Sequence, residues 1–304
     1  REILEVGSFD VNGSIRSYVE EFSPRSYVGT DITEGPNVDL VVDANNLISE
    51  FGTDSFDFII CTEVVEHVQD WRNVINNIKG VLRQNGCLLL TTRSRRFPYH
   101  GYPYDYWRYE ISDMKKIFSA GADKICINSS IIKDIKLLDK AAKIFGSANI
   151  TVMIQSVKID QKYFISSSNG RDLENINPTV WAKRVENYGA GEIILTSVNN
   201  EGLKNGFDIN ITRKVSRAVK IPVIAHGGAG KFKDIYDVIR KTNIDGVGIA
   251  SLLHYNTLHH FPKFNPKVGN TTYLENTKKN QKKSNLILKI KSYLKLKNIN
   301  VRYE

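Results

Sequence analysis

Ile221-Pro222-Val223-Ile224-Ala225-His226-Gly227-Gly228-Ala229-Gly230-Lys231 decides how this chain folds. A short apolar strand, Ile221–Ile224, runs into adjacent glycines whose bare backbone amides can converge on one point. A helix begins just downstream, near Phe232, and its amino end adds partial positive charge. Strand, glycine loop and helix start together form a phosphate cradle. The same strand–loop–helix unit repeats on either side. Strands are expected at Lys124–Asn128, Ile150–Gln155, Glu192–Ser197, Pro222–Gly227 and Gly246–Ser251, with helices at Ile131–Phe145, Pro178–Tyr188, Ile209–Val219 and Phe232–Lys241. Each strand ends in small or polar residues: Asn128-Ser129, Gln155, Thr196-Ser197, His226-Gly227 and Ala250-Ser251. Ligand groups at the carboxyl ends of successive parallel strands are the mark of a (β/α) TIM-type barrel, here with about five of the eight units. A polar loop, 264–285, and a terminal helix, 286–297, follow. The helix has apolar residues at Leu286, Ile287, Ile290, Tyr293 and Leu294, although Leu286, Leu288 and Ile290 also alternate as a strand would.

The first third has a different rhythm. Strands are expected at Glu2–Val6, Ser26–Asp31, Val38–Asp43, Phe56–Cys61 and Gly86–Thr92, and helices at Asn12–Glu21, Gln69–Leu82 and Ser112–Phe118. Strand–helix alternation implies an α/β, doubly wound, Rossmann-like parallel sheet. After the first strand, Gly7 permits a tight turn and Gly13 a close approach where a helix begins. Asp31 ends the second strand, where a carboxylate suits ribose hydroxyls. Asp43 ends the third and suits an adenine edge. Thr62-Glu63-Val64-Val65-Glu66-His67 follows the fourth and faces the same crevice. Gly7 and Gly13 lack the spacing of G-x-G-x-x-G, so dinucleotide binding is disfavoured.

The bulk numbers exclude several classes. The chain of 304 residues has a net charge of +9, and the stretch from Lys263 onward, with eleven Lys+Arg and two Glu, accounts for all of it. A solvated surface helix after a polar loop explains that tail, and no aromatic-interleaved basic patch points to nucleic acid. The apolar runs are too short to span a bilayer, so no membrane is expected and the chain reads as cytoplasmic. The three cysteines, Cys61, Cys87 and Cys126, lie in apolar strand-like runs and read as buried free thiols, with no metal site. The sequence opens at Arg1 inside a strand, so a start further upstream, with room for a targeting segment, is an expectation.

From Arg1 to about Phe118 the motifs Glu5-Val6-Gly7-Ser8-Phe9-Asp10-Val11-Asn12-Gly13-Ser14, Tyr27-Val28-Gly29-Thr30-Asp31 and Thr62–His67 resemble class I S-adenosylmethionine-dependent methyltransferases. The resemblance implies S-adenosylmethionine as cofactor, lined by Glu5, Gly7, Gly13, Asp31, Asp43 and Glu63. It extends to His100–Tyr109, whose aromatics would stack on a sugar acceptor or simply pack as a lid; His67 reads as structural. Such a domain normally finishes with two more strands, which are absent here.

From about Ser119 the chain resembles the cyclase subunit (HisF-like) of imidazole glycerol phosphate synthase. The resemblance rests on Ala120–Ser129, Trp181-Ala182-Lys183, Val185-Glu186, Gly189–Ser197, the glycine cradle and Asn300-Val301-Arg302. It divides the chain into a methyltransferase-like domain, 1–118, and a cyclase-like domain, 119–304. It implies a phosphorylated nucleotide-type substrate and a HisH-like glutamine amidotransferase subunit that supplies ammonia. One substrate phosphate would rest on Gly227, Gly228, Ala229 and Gly230 with Ala250 and Ser251. Asn128, Ser129, Thr196 and Ser197 would hold the other end, and Lys124 and Glu192 would gate ammonia. The ring-closing chemistry needs two carboxylates as acid and base. The first belongs to a strand absent here, and Gln155 stands at the position of the second. Asn199 and Glu201 replace two aspartates, and His226 replaces a serine. No competent cyclase is expected; the residues left point to binding, or to the ammonia-using relatives that amidate surface glycans. Ile111–Phe118 fits the last helix of one family and the first of the other, so two neighbouring reading frames are expected to have been joined there.

Overall fold

The computed structural model describes residues 1–10, 14–20, 22–92, 104–109, 124–167, 170, 172–253 and 286–302. These fall into two compact units. One holds the described residues through Tyr109; the other holds those from Lys124 to Leu253 together with 286–302.

In the first unit, β1 (Glu2–Val6), β2 (Ser26–Asp31), β3 (Leu40–Val41), β4 (Phe56–Thr62) and β5 (Leu82–Thr91) form a parallel sheet in the order β3-β2-β1-β4-β5. Around it lie α1 (Arg16–Glu20), α2 (Leu47–Phe51) and α3 (Trp71–Val81). The amphipathic pattern of α3 explains its packing: Trp71, Val74, Ile75, Ile78 and Val81 recur at helical spacing and are buried against Leu4, Val6, Ile59 and Cys61. Asp70 starts this helix by accepting from Asn73 N at 3.2 Å. The helix is shorter than Gln69–Leu82, because Leu82 already belongs to β5. Likewise Asn12–Glu21 contributes only Arg16–Glu20 as helix, and the strand expected over Val38–Asp43 narrows to two residues. The helix expected over Ser112–Phe118 lies outside the described residues.

In the second unit, β6 (Ile125–Ile127), β7 (Ile150–Ile159), β10 (Glu192–Ser197), β11 (Val223–His226) and β12 (Gly246–Gly248) are parallel neighbours in that order. Between β7 and β10 the chain forms β8 (Lys162–Ser167) and β9 (Asp172–Glu174), which add antiparallel to the β7 side and give a seven-stranded sheet. Helices α4 (Ser130–Lys133), α5 (Lys136–Phe145), α6 (Pro178–Asn187), α7 (Ile209–Ala218), α8 (Phe232–Lys241) and α9 (Leu286–Leu296) complete the unit. β6 and β12 do not pair among the described residues, so the sheet stays open, as a partial TIM-type barrel does.

Two expectations change here. The strand expected to stop at Gln155 runs on to Ile159, turns at Asp160 (φ 45°) and Gln161 (φ 65°), and returns as β8. The single helix expected over Ile131–Phe145 is interrupted at Asp134 and becomes α4 and α5. The terminal segment resolves as helix: Leu286, Ile290 and Leu294 are buried while Leu288 is 48 % exposed, which a strand alternation would not give. Of the cysteines, Cys61 is buried, but Cys87 and Cys126 are exposed, contrary to the reading of all three as buried. No helix among the described residues is long and apolar enough to cross a membrane.

Candidate functional site

Pairing register decides which side chains of the second unit share a face, because strand residues alternate sides. Ile150, Val152, Ile154, Ile193, Leu195, Val223 and Ala225 are buried on the helix-covered face. The opposite face carries three cross-strand rows. The first is Cys126, Thr151 and Glu192; the second is Met153, Ile194 and Ile224; the third is Ser166, Gln155, Thr196 and His226. Thus a charged row and a neutral polar row are separated by an apolar one. Lys124 Nζ lies 2.9 Å from Glu192 Oε2, and Thr151 Oγ1 donates to Glu192 Oε1 at 2.9 Å, so the expected gate residues form one closed cluster.

In the third row, Thr196 Oγ1 lies 3.1 Å from His226 Nδ1. Among the described residues, Gln155 Oε1, Ser166 Oγ and, after β6, Asn128 Oδ1 are buried without a hydrogen-bond partner. Such atoms mark places where a ligand or water completes the site. Alternation turns Ser197 to the helix side, away from Thr196, and its carbonyl accepts from Asn200 N and Glu201 N. Ser197 is therefore a turn anchor here, not a partner of Thr196. Ser129 opens α4, and Ala250 accepts from Leu253 N at 3.0 Å, so Ala250 and Ser251 begin a helical turn beyond β12.

The glycine loop follows His226. Gly227 has φ +87° and Gly228 φ +113°, conformations that side-chain-bearing residues rarely adopt. A Cβ on Gly228 would sit 2.2 Å from Gly206 O, whose own amide donates to Gly228 O at 2.8 Å. The loop is thereby fixed from below, and the Gly228 and Ala229 amides have no protein acceptor among the described residues. Gly230 departs from expectation. Its amide and that of Lys231 each donate at 3.0 Å to the Asp234 carboxylate, which caps α8 and takes Gly230 out of the cradle. Asn199 also has a use: Lys158 N donates to Asn199 Oδ1 at 2.7 Å while Asn199 Nδ2 donates to Lys158 O at 3.2 Å. An aspartate has no donor for the second bond, so the amide suits a pin on β7.

In the first unit, the order β3-β2-β1-β4-β5 places a switch point between β1 and β4, where ligands of open α/β sheets bind. Gly7 sits there at φ +77°, with Gly7 N and Ser8 N both donating to Thr30 O. The buried Ser8 hydroxyl at this point has no partner among the described residues. Asp31 is half-buried and accepts from Phe9 N and Thr33 N at 3.4 and 3.3 Å, long bonds that leave its lone pairs available. Glu63 holds φ +58°, an uncommon conformation for a side-chain-bearing residue, and accepts from Thr91 Oγ1 at 2.9 Å. Asp43 is exposed and caps the turn at Ala44, with Asn45 N 2.8 Å from its Oδ1. Glu5 is buried and accepts from Tyr27 OH at 2.6 Å; burial pushes its carboxyl pKa up. Gly13 and His100–Pro103 lie outside the described residues. Tyr104–Tyr109 packs down: Trp107 Nε1 donates to Val68 O and Tyr109 OH to Val65 O, at 2.7 and 2.8 Å. His67 Nδ1 meets Tyr104 O at 2.5 Å, a structural contact. Only the Tyr104 and Tyr106 rings of this segment, 5.5 Å apart, stand well exposed.

Residue types alone did not single out Ser8 or Ser166. Ser166 becomes visible only once the β7–β8 hairpin is known, since pairing places it opposite Gln155.

Two family models match the chain. The Histidine biosynthesis protein model covers residues 109–259 and a Methyltransferase domain model covers residues 3–125. Among curated proteins, the chain is 44 % identical over 150 residues to Imidazole glycerol phosphate synthase subunit HisF of Clostridium botulinum, covering 49 % of this chain and 59 % of that one. It is 42 % identical over 146 residues to the HisF subunit of Bacillus cereus, covering 48 % and 58 %. It is 40 % identical over 147 residues to that of Alkaliphilus metalliredigens, again covering 48 % and 58 %. The chain therefore spans about three-fifths of the length of these relatives. The chain is thus similar to HisF over its second part and to a methyltransferase domain over its first.

Proposed function

We propose that the HisF-like unit binds a phosphorylated, nucleotide-type ligand at its strand ends without closing its ring. The observation that carries this reading is the pairing of two facts at one site. The Gly228 and Ala229 amides, just before α8, have no protein acceptor among the described residues, while Gln155 occupies the position where the resemblance calls for an acid. A carboxamide does not exchange a proton near neutral pH, so acid–base chemistry is lost while anion binding persists. Lys124 and Glu192, closed on one another, suit the mouth of an ammonia path and a HisH-like glutamine amidotransferase partner. By the same reading the chain works in the cytoplasm.

The first unit takes S-adenosylmethionine, which supplies an activated methyl group. Asp31 would accept from its ribose hydroxyls, the Gly7–Ser8 backbone would approach its chain, and Glu63 would face it from β4. The orphaned Ser8 hydroxyl and the long Asp31 bonds support this fit. A second reading makes methyl transfer the main activity, favoured by the positive φ of Glu63, since strain of that kind gathers at functional sites.

Titration calorimetry of the intact chain with S-adenosylmethionine and, separately, with a bis-phosphorylated nucleotide tests both halves. Heat of binding with each supports the proposal; silence with either ligand overturns the corresponding half.

A further inference from the structure

Strand β8 outlasts its outer neighbour. β9 pairs only with Ile165, Ser166 and Ser167, so the first half of β8 has a free edge. Ile165 N donates to Ile176 O on that side at 2.9 Å, away from β7. Backbone direction alternates along a strand, so the Tyr163 N–H points the same way. It has no acceptor among the described residues. Beside it lies a cleft of about 460 Å³ whose lining includes Lys162, Tyr163, Phe164, Asn175, Asn177 and, from α7, Lys214. That volume suits a small molecule.

The charge around this cleft is one-sided. No carboxylate lines it. Neither Lys162 nor Lys214 is in an ion pair among the described residues. Lys158 adds a third ammonium group: its Nζ and that of Lys214 each lie 5.8 Å from the centre of the Tyr163 ring. The carboxylate next to that ring, Asp208, is already taken up by the Tyr163 hydroxyl and by Asn210 N and Ile211 N. The phenol itself stays protonated up to about 12 and adds no negative charge. Asn177 Oδ1 accepts from Thr179 N at 2.9 Å, which leaves Nδ2 to donate.

We infer that this cleft binds a small organic dianion, held by Lys162, Lys214 and the Tyr163 N–H with its apolar body against Phe164. Two ammonium groups from different elements, gathered without a counter-ion, match two negative charges on one ligand. One free backbone position is too short for an added peptide strand, which pairs over several residues, so a small molecule is the occupant. Carboxylate and phosphate groups share the required chemistry. The cleft has no residue in common with the glycine loop and does not depend on the phosphate reading proposed above.

The intact chain, isotopically labelled at tyrosine nitrogen, is titrated with phthalate, phenyl phosphate and benzoate at low ionic strength. The Tyr163 amide resonance is assigned by its absence in Tyr163→Phe. At least one of the two dianions should move that resonance with roughly fivefold higher affinity than benzoate, the tighter one naming carboxylate or phosphate as the group held. Lys162→Gln and Lys214→Gln change exposed side chains and should each weaken that ligand roughly fivefold. Lys220→Gln, an exposed lysine of the same unit outside the cleft, should leave the affinity unchanged. A Tyr163 amide unmoved by every probe, benzoate binding as tightly as both dianions, or full affinity in both cleft variants overturns the site. An equal loss in Lys220→Gln overturns it too, because net charge alone would then explain the binding.

Discussion

Gly228 shows how much one backbone position governs. Its φ of +113° and the Gly206 carbonyl, 2.2 Å from any added Cβ, exclude every side chain. Gly228→Ala should lose about 3 kcal/mol in urea denaturation, from left-handed strain plus displacement of a fixed backbone atom. Gly202→Ala is the control: φ is +76° but nothing lies within 4 Å, so about 1 kcal/mol is expected. Equal losses would show that strain alone, not the close approach, sets the requirement. Gln155→Met should behave oppositely. Removing a buried amide whose Oε1 has no partner should raise stability by about 1 kcal/mol. A drop instead would mean that the amide is satisfied in solution. At this scale the sequence was informative about glycines and strand-end polar residues, because their chemistry follows from type and position. It placed Gly230 in the cradle, since nothing in the glycine run itself announces that the Asp234 carboxylate of the following helix captures its amide.

Among the elements, strands and helices with strong periodicity were legible, as α3 and β10 show, and short or edge elements were not. The β7–β8 hairpin escaped because its Asp160-Gln161 turn lacks the Asn-Gly or Asp-Gly signal that usually reveals one. That hairpin is tied to α7 through Asp208, which caps Asn210 N and Ile211 N and accepts from Tyr163 OH at 3.0 Å. Burial first, and then the Asp208 charge, push the Tyr163 phenol up to about 12. Asp208→Ala should therefore cost about 2 kcal/mol in urea denaturation, one part lost cap and one part stranded phenol; Asp208→Asn should recover most of it, and failure to do so would deny the cap its role. In the first unit, β1 and β2 are joined by the Glu5–Tyr27 bond. Burial raises the Glu5 pKa, with the Tyr27 bond opposing in part. The folded state then holds the proton more tightly than the unfolded chain. Its contribution to stability is complete below the unfolded value of about 4.3 and is lost as pH rises through the higher folded value. Glu5→Gln keeps an acceptor for Tyr27 and has no charge to bury, so its stability should fall less with rising pH over that window. Parallel curves for parent and variant would contradict this account.

For the whole molecule, two compact units, each with a proposed ligand site, sit in one chain, and the two family models overlap across residues 109–125. The Ile111–Phe118 motif, expected to fit both families, lies within that overlap. Both fold types were readable from alternation alone, because parallel α/β units repeat locally; how far each sheet would close was set only by counting units. Separate cores imply separate ligand responses. In calorimetric scans S-adenosylmethionine and ribose 5-phosphate should each raise a different transition, by about 2.7 kcal/mol in stability at a hundredfold excess over Kd. A single transition raised by both ligands would contradict independent sites. The central claim, that anion-holding geometry persists where the proton-exchanging acid is gone, meets its most direct test in one absorbance assay. The intact chain is saturated with the bis-phosphorylated nucleotide substrate that the HisF-like resemblance implies, bound ligand is quantified, and ammonium salt is added at neutral pH to both the parent and Gln155→Asp. Stoichiometric binding with no ring closure in either protein is the expected result; absence of bound nucleotide, or ammonia-dependent ring closure by the parent chain, would contradict it.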